Sequence, residues 1–239
     1  MKKIVFFVSI LISSMIGADV TNSIGMVLKE IPASKGIKSF YMAQTEVTQE
    51  QWVKVMGSNP SFFQSKMYNL PVDSIDVKSV LEFIKRLNLK ENTKAYRLPT
   101  IEEFEYMTDG MCMKPNAGDF AVLSDMLDHS CIRSSMVLNQ KTPNAVQTRQ
   151  PNKYGVHDLY GNVRELTVLC EGQTCEAFIA GDSWADDRHS KFMSFGRGDP
   201  QIPITPAEYF ELIFLPTANK GFNQSAPIDL GFRLVKDKQ

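Results

Sequence analysis

Pro151-Asn152-Lys153-Tyr154-Gly155-Val156-His157-Asp158-Leu159-Tyr160-Gly161-Asn162-Val163-Arg164-Glu165-Leu166 packs turn formers, carboxylates and apolar anchors into one short stretch. Pro151-Asn152 and Gly155 punctuate the backbone. Asp158 and Glu165 frame Gly161-Asn162, a dipeptide whose glycine reaches positive φ at little steric cost. Acidic side chains around a tight turn gather carboxylates and free backbone carbonyls, the hard oxygen ligands that calcium prefers. The same carboxylates can instead cap turns or pair with Arg164 or Arg233.

This stretch resembles the G-L-Y-D-M-x-G-N-V-W-E-W signature of the formylglycine-generating enzyme, or sulfatase-modifying factor, family. Four further blocks occur in the family's order along the chain. Glu46-Val47-Thr48 precedes Trp52 and Met56-Gly57-Ser58-Asn59-Pro60. Tyr96-Arg97-Leu98-Pro99-Thr100, followed by Glu102-Glu103-Phe104-Glu105-Tyr106, resembles Y-R-L-P-T-E-A-E-W-E-Y. Gly181-Asp182-Ser183-Trp184 stands where the family has G-G-S-W, and Leu230-Gly231-Phe232-Arg233 closes the chain as G-F-R does there. The resemblance implies an α+β fold, a large variant of the C-type-lectin-like fold with little regular structure. One domain is expected over residues 19–239.

Composition narrows the function classes. A formal net charge of −1 offers no electrostatic case for nucleic acid or an anionic membrane. Lys2-Lys3, the apolar run Ile4 to Ile12 and small residues to Ala18 form the tripartite pattern of a secretory signal peptide. The mature chain is expected to begin at Asp19 and to be exported, periplasmic or secreted, with membrane attachment only through an uncleaved leader. In an oxidising compartment an even cysteine count suggests disulfides. The pairings favoured are Cys112 with Cys131 and Cys170 with Cys175; a redox or copper-binding pair at Cys170 and Cys175 is the alternative.

Local patterns place the elements. Residues Ile24 to Tyr41 alternate like strands, with Met26, Leu28 and Ile31 apolar and a break at Pro32 and Gly36. Thr48 and Gln51 have capping-box spacing ahead of a helix that stops at Gly57, with Trp52 as its core anchor. A second helix is expected from about Val77 to Leu89, capped by Asp76, with Val77, Val80, Leu81, Ile84 and Leu87 on its apolar face. Thr100 and Glu103 form another capping box, with Phe104 and Met107 packing inward and Arg97 pairing with a carboxylate. Residues Asp109 to Asn144 carry one short helical candidate near Phe120 to Leu127. From Val168 onward short strands and loops are expected, ending in a strand around Phe232 to Val235.

The family's oxidases hold copper with two cysteines placed just after G-G-S-W, because soft thiolates select Cu(I). The matching residues here are Asp186 and Lys191, which cannot serve as such ligands, so copper is not expected. The signature's aromatic positions have become Arg164 and Leu166. Cys170 and Cys175 keep a four-residue spacing but lie upstream of Gly181; with Ser183 they are the weak catalytic candidates. His129, His157 and His189 show no metal-ligand spacing. The resemblance implies a calcium site made of the side chains of Asp158 and Glu165 and the carbonyls of Gly161 and Val163. It also places Trp184, Asp186, Arg188, Lys191 and Arg197 on a substrate or partner surface. The expectation is an exported non-oxidase module that binds or attends a protein, peptide or glycan. The alternative is a formylglycine-generating oxidase with a relocated thiol site.

Overall fold

The first two helices start where their caps dictate. In the computed structural model, α1 spans Gln49–Met56, and Thr48 and Gln51 make both halves of the capping box. Gly57 ends α1 in the left-handed region, the conformation that favours glycine at this position. The second helix, α2, spans Val77–Lys90, with the Asp76 carboxylate accepting from Ser79 N at 2.7 Å. The structure describes residues 18–34, 36–64, 69–108, 112, 129–171, 174–186 and 227–238, without the side chains of 129 and 170–176. The expected leader up to residue 17, the helical candidate near Phe120 to Leu127, and Arg188, Lys191 and Arg197 lie outside the described residues.

Strands β1 (Val20–Thr21), β2 (Val27–Ile31) and β3 (Phe40–Ala43) precede α1; β4 (Tyr96–Arg97) and α3 (Ile101–Thr108) follow α2. Thr100 N donates to Glu103 and Glu103 N donates to Thr100 Oγ1, so the second capping box also forms. Arg97 grips the same Glu103 with two bonds of 2.7 Å. A further helix, α4 (His129–Ser135), was not foreseen; its buried Ile132 lies one turn from the buried Met136. A disulfide joins Cys112 to Cys131 of this helix.

Two small sheets result. Strands β5 (Arg164–Glu171), β6 (Thr174–Ala180), β7 (Leu230–Phe232) and β8 (Val235–Asp237) complete the chain. The larger sheet runs β1-β2-β3-β8-β4, antiparallel throughout. The smaller runs β6-β5-β7, with β7 parallel to β5. The final strand expected around Phe232 to Val235 is therefore two strands in two sheets. Arg233 and Leu234 make the crossing, and Phe232 O and Leu234 O accept from Val47 N and Ala43 N. The turn signature sits at the root of this crossing, because Arg164 and Glu165 pair with Leu230 and Gly231.

Aromatic packing fixes α1 and α2 on the sheets. Trp52 stacks on Phe83 at 5.2 Å, and Phe232 meets both rings edge-on. Phe83, absent from the expected apolar face, is fully buried, while Leu81 is 55% exposed. The helix has turned its stripe so that the larger aromatic fills the core, which removes more apolar surface from water than leucine would.

Candidate functional site

The signature turn is a wound piece of backbone. Asp158, Gly161 and Asn162 all take positive φ, at 55°, 82° and 62°. A Cβ on Gly161 would collide with the Val137 carbonyl, so this position admits only glycine without a backbone shift. Val137 O accepts from Asn162 N, Asn162 O accepts from Trp184 N, and Asn162 Oδ1 accepts from Asn144 N. The turn thereby anchors the Gly181-Asp182-Ser183-Trp184 loop and the strip after α4. Val163 is buried beside Val137 and Trp184.

Beneath the turn lies a charge cluster sealed from water. Arg233 is fully buried. Its Nε donates to Glu165 Oε2 at 2.6 Å, and Nη2 donates to Glu165 Oε1 and to the carbonyls of His157 and Asp158. Nη1 reaches the Ala43 carbonyl at 3.4 Å. Asp158 Oδ2 accepts from Gln147 N, whereas Asp158 Oδ1 and both oxygens of fully buried Glu46 have no hydrogen-bond partner among the described residues. Burial, reinforced by the Asp158 carboxylate, pushes the Glu46 carboxyl well above the usual carboxylate range. Burial also raises Asp158, against the pull of the Gln147 N–H and Arg233. Glu46 entered the sequence reading only as part of a resemblance block. No local pattern marked it as a member of this cluster.

Of the expected calcium ligands, Glu165 meets Arg233 through its carboxylate and Asp158 meets it through its backbone carbonyl. Glu165 gives both carboxylate oxygens to Arg233. Among the described residues no group of three or more His, Cys, Asp or Glu side chains could hold a metal ion. The guanidinium beside Glu165 would repel a divalent cation placed next to it.

A second charged group forms at the surface edge of β5. Arg164 Nη2 donates to both oxygens of Asp186, at 2.9 and 3.0 Å, and Nη1 reaches Asp229 Oδ2 at 3.3 Å. Asp186 Oδ2 also accepts from Ser183 N at 2.7 Å and Ser183 Oγ at 3.0 Å. Ser183 is fully buried with its hydroxyl bound to that carboxylate. Trp184 packs edge-on to Phe63 at 5.3 Å, its indole N–H without a hydrogen-bond partner among the described residues. Cys170 and Cys175 are direct partners across the β5–β6 ladder, at the hairpin tip the sequence suggested; their side chains lie outside the described residues. His157 is held through Nδ1 on the Arg149 carbonyl at 2.8 Å.

Residues 20–238 match the family model described as "Sulfatase-modifying factor enzyme 1-like domain". The chain belongs to that family. The match covers both sheets and both charged groups. Among curated relatives, "Chaperone protein LppX" of Paenibacillus barcinonensis is 27% identical over 179 residues, 54% of this chain and 61% of that one. The chain therefore spans about three-fifths of that relative's length. Among solved structures, Treponema denticola variable protein 1 superposes with a TM-score of 0.65 at 19% identity, covering 93% of this chain and 100% of that one. PvdO from Pseudomonas aeruginosa gives 0.58 at 15% identity, covering 93% and 98%. At these identities the two structures speak for the fold alone.

Proposed function

We propose that this family member is an exported binding or accessory module, not a copper oxidase. One observation carries the reading. Asp186, at the position where the resemblance places the first copper cysteine, is consumed by an ion pair with Arg164, itself at a position where the signature has tryptophan. With two Arg164 contacts and two Ser183 contacts, the carboxylate serves as a loop lock. A hard carboxylate held this way is a poor ligand for Cu(I). Ser183 is tied into the same lock, its hydroxyl donating to a carboxylate that Arg164 already neutralises. The relative named as a chaperone supports an accessory role toward another protein. The Cys112–Cys131 disulfide suits an oxidising compartment, and no helix among the described residues is long and apolar enough to cross a membrane.

The test uses the purified chain with copper, oxygen and a cysteine peptide bearing the sulfatase-type motif, read by mass spectrometry. The expected result is no aldehyde above a copper-free control, with Cys170 and Cys175 resisting alkylation until reduced. Aldehyde formation that Cys170→Ser or Cys175→Ser abolishes would replace this reading with an oxidase whose thiol site has moved to the β5–β6 tip.

A further inference from the structure

We infer that Arg233 is the resident cation of the signature turn, and that the turn holds its shape without a bound metal. Three features carry the inference. First, Arg233 sits at the switch between the two sheets, between β7 and β8, and is fully buried, so it cannot swing out to free its partners. Second, its guanidinium makes contacts on both sides of the turn. It binds the Glu165 carboxylate on β5 and the backbone carbonyls of His157 and Asp158 before the glycine. Like a calcium ion, it gathers carboxylate and carbonyl oxygens, but it shares only the Glu165 carboxylate with the expected calcium ligand set. Third, the planar fork matches a carboxylate bidentately, which fixes orientation as well as charge. The cation bound to Glu165 is thus supplied covalently by the chain, and the turn needs no calcium from the surroundings.

The consequence is a scaffold indifferent to calcium. Thermal unfolding of the purified chain would be followed in EDTA and in millimolar calcium chloride. The expected Tm is the same in both, within about 1 °C. A ligand at a hundred times its Kd would raise Tm by roughly 5–10 °C in a chain of this size. A calcium-dependent rise on that scale overturns the inference. Glu165→Gln then separates the two roles of that carboxylate. As Arg233's partner, its loss lowers Tm equally in calcium and in EDTA. As a metal ligand, its loss would lower Tm only in calcium and leave the EDTA value unchanged, which also overturns the inference.

Discussion

Two arginine–carboxylate groups lie on either side of β5, and they differ chiefly in water. Arg233 and Glu165 are 0% and 1% exposed, whereas the Arg164 side chain is 39% exposed and its Asp186 partner 18%. Both are arginine–carboxylate pairs, Arg233 engaging Glu165 through Nε and Nη2 and Arg164 reaching both Asp186 oxygens through Nη2 alone. Screening and competing water leave a surface pair worth roughly 0–1 kcal/mol. A buried pair returns little net stability but costs about 3–5 kcal/mol when one partner is removed, because the other is stranded. The deep group therefore enforces the fold. The outer group, at positions the resemblance assigns to oxidase chemistry, can change without unfolding the protein. On these energetic grounds the two groups are separable.

The strongest way to break that contrast is Arg233→Met. It leaves Glu46, Asp158 and Glu165 in one buried space with no guanidinium among them. The expected loss is about 3–5 kcal/mol, measured by urea unfolding. A loss below about 1 kcal/mol would mean that the deep pair behaves like the surface one.

That contrast was only half legible in the sequence. The helix starts at Thr48, Asp76 and Thr100 could be read because each cap and its partner lie within three residues. The hairpin tip at Cys170 and Cys175 is local for the same reason. The charge cluster is not local: Arg233 and Glu165 are 68 residues apart, and Glu46 joins from before α1. Nothing in the spacing chose between Arg164 and Arg233 as the partner of Glu165. Burial decided it, by sending Arg233 across the core between two sheets. The exchange of Leu81 for Phe83 has a similar origin. Periodicity allowed either residue inward, and Trp52 selected the ring. Helix α4 escaped because its seven residues carry few apolar anchors and its disulfide partner Cys112 is distant in the chain.

Gly161→Ala tests whether the turn couples the two groups. The substitution strains a positive φ and drives a methyl into the Val137 carbonyl. Strain of this kind costs roughly 1–3 kcal/mol. Because Asn162 O holds Trp184 N, the loop carrying Asp186 should loosen too. Hydrogen exchange at the Trp184 and Asp186 amides should rise together. Unchanged exchange there, with the stability loss intact, would show that the turn supports the fold without positioning the loop.

Glu46→Gln should work in the opposite direction. Its folded carboxyl lies above the ordinary glutamic acid value of about 4.3, so the folded chain holds the proton more tightly than the unfolded one. That contribution is fully present below the unfolded pKa and is lost as pH rises through the folded pKa. Glutamine imitates the protonated acid at every pH, and adds an N–H donor to a cluster in which Asp158 Oδ1 lacks one. The variant should match the parent near pH 4 and exceed it at neutral pH, by on the order of 1 kcal/mol. Melting curves across that window decide the matter. A variant less stable at all pH values would place an ionised Glu46 in the native cluster.

The smallest effect is expected at the outer group, and its smallness is informative. Arg164→Gln removes the bridge between Asp186 and Asp229. Ser183 N and Oγ still bind Asp186, so the loop keeps its inner lock. The stability cost should stay below about 1 kcal/mol and shrink with added salt, because the guanidinium is within reach of counterions. Urea unfolding at low and high ionic strength measures both quantities. A salt-insensitive loss of several kcal/mol would make Arg164 a second fold-enforcing arginine. The surface would then no longer be free to vary independently of the scaffold, and the separation between the two groups would fail at its outer end.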